Sequence, residues 1–176
     1  MSNCKHLDIS DKPVLRIKPD MSVYFVNDDF SKVTGLQPEH VVLKSLSEVL
    51  PSTLPDLFEE IIRKNIRDDE PSFFIVKGKT LTGECYWALA RITPYVSKLN
   101  GEKRYKIEMK MLPNNAVQEI DKMYTTIEKV YENAGKDFAL KYFEGFLEDR
   151  NQTFDDYIFD TLGAGKKKIH KYFEIS

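Results

Sequence analysis

Two hydrophobic periodicities meet at Pro113-Asn114-Asn115, and this break constrains the fold more than any other feature of the chain. Before it, short alternating or all-apolar runs are punctuated by Gly, Pro and Asn-Asp, as in strands joined by turns. After it, apolar residues recur at helical spacing almost to the end. The change predicts one unit over residues 1–112 and a helical extension over 113–176.

Within the first unit, Val14 to Ile17 and Val23 to Val26 read as strands joined by a turn at Lys18-Pro19-Asp20-Met21. Asn27 then supplies the side-chain acceptor that caps a short helix carrying Phe30 and Val33, which ends at Gly35. Leu54, Leu57, Phe58, Ile61 and Ile62 share one face of a longer helix ending near Ile66, with acids early and bases late. Three strands follow, over 72–79, 84–96 and 103–112, the last two joined at Asn100-Gly101. This order predicts an α+β architecture: a five-stranded antiparallel sheet with short helices on one face.

The same stretch resembles the PAS domain family. Val23-Tyr24-Phe25-Val26-Asn27-Asp28-Asp29-Phe30 is similar to the family's strand-to-helix entry. Val33-Thr34-Gly35-Leu36 and Pro38-Glu39 to Leu46 follow in the family's order. Gly83-Glu84-Cys85-Tyr86-Trp87 to Thr93-Pro94-Tyr95-Val96 looks like the corresponding strand in bacterial aerotaxis receptors. The resemblance covers about residues 12–112. It implies a sensory rather than catalytic role, with a signal passed through protein contacts to a chemotaxis-type receptor or a kinase.

The resemblance to aerotaxis receptors also raises FAD as a cofactor. Their flavin signature includes an Arg-His-Pro-Asp stretch before the long helix and a Trp at the start of the next strand. Here those regions read Val49-Leu50-Pro51-Ser52-Thr53-Leu54-Pro55 and Pro71-Ser72-Phe73-Phe74, without the Arg, His or Trp. Haem in this fold needs a histidine on or beside the long helix, and Leu54 to Arg67 contains none. The cofactor is therefore left unassigned.

Alternation along Cys85 to Val96 places Tyr86, Ala88, Ala90 and Ile92 on one face. By analogy with PAS domains this face meets the helices, whose wall would offer Phe30, Leu57 and Ile61, with Phe74 nearby. The two alanines leave room, so either a small apolar ligand site forms there or Phe73, Phe74 or Tyr105 fills it. The opposite face carries Trp87 and Leu89, which should not face water. A second copy of the domain or the chain's own extension is expected to cover them, and the resemblance favours a homodimer.

Past the break, Val117, Ile120, Met123, Tyr124, Ile127, Val130 and Tyr131 form an apolar stripe ending at Asn133-Ala134-Gly135. Phe138 to Leu147 reads as a second helix, and Thr153 caps a third that runs to Gly163. Lys166 to Phe173 is basic with apolar residues interleaved. Residues 114–176 nevertheless carry 9 Lys/Arg against 12 Asp/Glu, a net of 9 − 12 = −3, which argues against nucleic acid.

The chain's formal charge of −2 and the lack of a long apolar run argue for a cytosolic protein without membrane insertion. Its two cysteines, Cys4 and Cys85, lie far apart, and no secretory context asks for a disulfide; Cys85 reads as a small apolar residue on a strand. The three histidines are scattered, so no zinc site is expected. No nucleophile with a base and an orienting acid is recognisable, and a small-ligand enzyme on a similar scaffold is the outlying alternative.

Overall fold

The structure is a computed structural model that describes residues 4–50 and 55–174. Leu54 and the stretch Pro51-Ser52-Thr53, on which part of the flavin comparison rests, lie outside the described residues. The chain opens with three strands, β1 (Lys5–His6), β2 (Val14–Ile17) and β3 (Val23–Val26). Four helices follow: α1 (Asp28–Thr34), α2 (Pro38–Val41), α3 (Leu46–Val49) and α4 (Pro55–Asn65). Next come β4 (Ser72–Lys79), β5 (Cys85–Val96) and β6 (Lys103–Met111). The extension folds as α5 (Asn114–Ala134), α6 (Lys136–Asp149), α7 (Phe154–Leu162) and α8 (Lys166–Glu174).

Five of the strands form an antiparallel sheet in the spatial order β4-β5-β6-β2-β3. The expected five-stranded sheet is present, but β1 makes it six-stranded and mixed. It pairs in parallel with β5, Lys5 beside Tyr86 and His6 beside Trp87. The β5–β6 pairing ends at Ala88 and Met111, so β1 occupies the length of β5 that β6 leaves uncovered.

This register has a consequence that sequence separation concealed. Stepping back one residue on both strands brings Cys4 against Cys85, with Cα atoms 4.6 Å apart, and the two form a disulfide. The reading of Cys85 as an unpaired apolar residue is corrected. Two cysteines 81 positions apart carry no local pattern; only a parallel strand makes them neighbours.

Local chemistry sets the element ends. Asn27 caps α1 as expected, its Oδ1 accepting from Phe30 N–H at 3.0 Å, and Gly35 closes that helix in the left-handed conformation at φ 78°. Thr153 caps α7 through the N–H of Asp156, and Asp156 returns a bond to the N–H of Thr153. The basic segment Lys166 to Glu174 is a helix that buries two of its interleaved apolar residues, Ile169 and Phe173.

Candidate functional site

Cross-strand partners in an antiparallel pair point to the same side of the sheet, so the register sorts the strand residues into two faces. Phe74 stands opposite Ala90, Gly78 opposite Tyr86, and Ile92 opposite Ser72 and Ile107. Tyr86, Ala88, Ala90, Ile92 and Phe74 therefore share one face, as expected, and all are buried. Phe30, Leu57 and Ile61 are buried in the same apolar cluster.

At one end of this face the packing is close. The Tyr86 ring lies directly over Gly78, where even a β-carbon would collide with it. Its hydroxyl is fully buried and has no hydrogen-bond partner among the described residues, and burial pushes its pKa well up. Ile61 also faces the tail. It lines a cleft of about 320 Å³ with Lys64 and Asn65 of α4 and Leu140, Phe143 and Leu147 of α6.

The Asn27 side chain bonds to the backbone on both sides of it. Beyond the cap, its Oδ1 also accepts from Val14 N–H at 2.9 Å, and its Nδ2 donates to the Lys12 carbonyl at 2.9 Å. It ties α1 to the start of β2, a structural role.

Trp87 and Leu89 lie buried on the opposite face with Ile75, Phe73 and Arg91, and the chain's own tail packs on Trp87, Phe73 and Arg91. Trp87 is 2% exposed, its ring 5.5 Å from that of Tyr124 on α5, with the Lys77 ammonium 5.4 Å away over the indole. Of the two expected covers, the extension supplies this one, and neither residue is available as an open homodimer surface.

A second cluster anchors the last helix. Arg91, 8% exposed, donates to Glu108 Oε1 at 2.9 Å and to Glu174 Oε1 at 3.2 Å, and its guanidinium lies 4.8 Å from the Phe173 ring centre. Its Nη1 also meets His170 Nδ1 at 3.1 Å. Arginine only donates, so Nδ1 accepts and the imidazole is held neutral. Burial, then the Arg91 charge, lowers the His170 pKa below its ordinary 6.5.

The tail also closes the open edge of β4. Phe73 N–H donates to Asp155 Oδ1 at 3.1 Å, and the Ile75 carbonyl accepts from the Tyr124 hydroxyl. Asp155 is fixed in turn by an ion pair with Arg67. Phe74 reaches the tail as well, its ring 5.8 Å from Phe154 of α7. Residues 73 and 74 thus carry tail contacts from both layers of the sheet.

Sequence reasoning missed β1, the disulfide, the Arg91 anchor and the Asp155 edge bond. A buried-face arginine within an otherwise apolar alternation was the one local signal for the anchor. Among the described residues no group of three or more His, Cys, Asp or Glu is placed to hold a metal ion, and no helix is long and apolar enough to cross a membrane.

Comparison with known proteins agrees with this architecture. The family model described as PAS fold matches residues 7–101. The PAS domain of an HTR-like protein from Haloarcula marismortui is similar at 16% identity and a TM-score of 0.52, over 58% of this chain and 83% of that one. The PAS domain of BvgS from Bordetella pertussis aligns at 16% identity and a TM-score of 0.48, over 68% of this chain and 90% of that one. The search of curated proteins finds no match.

Proposed function

This chain belongs to the PAS family, and on that premise we propose that it is a sensory module which reads a small ligand or redox state. In this reading the output is the hold of the C-terminal helices on the sheet, passed by protein contact to a separate signalling protein. The observation that carries the proposal is the cover over Trp87: on the outer sheet face, a surface suited to docking, its ring is met by Tyr124 on α5 of the same chain.

The route from input to output is short. Ile61 on α4 is buried in the core and also lines the cleft against α6, so a shift of α4 is felt by the tail. Phe74 spans the same two layers through Phe154. Such contacts couple two sites only where the tail has a second arrangement whose population the input biases.

A ligand-free adaptor is the competing reading, favoured by the Tyr86 ring that packs over Gly78 on the inner face. Native mass spectrometry of the purified chain, with hydrogen exchange over α5 to α8, separates the two. A retained small molecule whose removal changes tail exchange supports sensing. An empty chain whose tail exchange is indifferent to added candidate ligands and to redox buffer supports the adaptor.

A further inference from the structure

We propose that Cys4–Cys85 is a thiol-exchange latch that holds β1 on β5 and releases it on reduction. It supplies a redox input for the reading above and rests on that reading only for its output.

Position is the first argument. The bridge lies at the corner of the sheet where β6 has ended, joining the more exposed Cys85 to a strand of two residues, both exposed. Among the described residues, the Lys5 ammonium donates to the Val33 carbonyl at 3.3 Å, the Lys110 ammonium donates to the Ile9 carbonyl at 3.3 Å, and Cys4 and Leu7 are buried. A two-residue parallel pairing contributes little by itself. The segment can therefore open locally while the core strands stay closed, and local opening gives a reductant access to a bond beside a folded core.

The exchange balances without a bound cofactor. A thiolate of an external dithiol attacks Cys85 Sγ, forms a mixed disulfide and expels Cys4 Sγ as a thiolate, which takes up a proton. The second thiol of the dithiol then attacks its own bridged sulfur and expels Cys85 Sγ, which is protonated likewise. The dithiol is oxidised to a disulfide and the protein gains two electrons and two protons.

The consequence of release is equally local. Departure of β1 uncovers the backbone of Tyr86 and Trp87 on the side that β6 does not reach. It also removes His6 from a cleft of about 550 Å³ whose other wall is α5, through Val117, Asp121 and Thr125. The helix covering Trp87 thereby loses a neighbour.

The test uses the full chain in dithiothreitol buffers of graded potential, read by amide exchange at residues 4–7 and 85–89 and by emission of Trp87, the single tryptophan. Native thiol titration should show both cysteines reduced while the core strands stay protected. Exchange at those segments should accelerate at least tenfold and revert on reoxidation, and Cys4→Ser should show the released pattern in any buffer. If the bond yields only when the whole chain unfolds, or if reduction leaves exchange at 4–7 and 85–89 unchanged, it is a fixed staple and the proposal is overturned. Release of β1 with α5 exchange unaltered would uphold the latch and remove the tail-output reading.

Discussion

Asp155 accepts a hydrogen bond from the backbone N–H of Phe73 at 3.1 Å, across 82 positions of the chain, and so finishes a sheet edge from outside the sheet. An open edge strand presents unpaired backbone groups that recruit other strands. Here one carboxylate answers the edge donor and the Arg67 charge together.

Asp155→Ala should leave the Phe73 N–H and the Arg67 guanidinium short of a partner, costing about 1–3 kcal/mol. Urea denaturation measures this loss. Asp155→Asn keeps an acceptor for the N–H and should cost less, and the alanine variant should also self-associate more at high concentration.

Gly78→Ala should be destabilising by about 1–3 kcal/mol, because the added methyl meets the Tyr86 ring. Tyr86→Phe acts in the opposite direction. It removes a buried hydroxyl with no partner among the described residues and should raise the midpoint of thermal unfolding, by about 1 kcal/mol in stability. Pairing Gly78→Ala with Tyr86→Ala should cost less than the sum of the single changes, since truncating Tyr86 removes the ring that the added methyl would meet.

The hold on α8 should weaken in mild acid. His170 has a lowered pKa when docked, so below its ordinary 6.5 the undocked state binds the proton more readily. Docking is fully favourable above that value and is lost as pH falls from it towards the docked pKa. Arg91 and Lys166 press in this direction, and Glu174 and Asp155 oppose it. Protection of the amides over 166–174, taken relative to their intrinsic exchange rate at each pH, should fall between pH 7.5 and pH 5, and His170→Gln should flatten that dependence.

Cys4→Ser/Cys85→Ser should lower global stability, since the bridge closes a loop of 81 residues. Loop-closure entropy for such a length sets a ceiling of about 4.5 kcal/mol. Denaturant unfolding of the oxidised and double-serine proteins gives the difference directly, and a value near the ceiling requires β1 to be ordered before the break.

Much of this architecture was legible because its signals are local. Asn27, Gly35, Thr153 and Gly163 mark helix ends by chemistry that acts within three or four residues. Alternation along β5 separated Tyr86, Ala88, Ala90 and Ile92 from Trp87 and Leu89 before any partner was known. What covers each face was harder to read. The choice between a second copy and the tail at Trp87 depends on a ring at position 124, and the filling of the inner face depends on how Tyr86 settles over Gly78. Cys4 with Cys85 and Phe73 with Asp155 are pairings over 81 and 82 positions, where neither periodicity nor motif carries information.

The edge contacts to β4 also order events in time. Tyr124 and Asp155 lie 49 and 82 positions beyond the strand groups they satisfy, so a growing chain makes β4 well before it makes their side chains. Contacts so distant in sequence form late and slow the approach to the native state. Until α7 is synthesised, the nascent sheet carries an unfinished border, and this interval is when a chaperone or a second nascent chain has its opening.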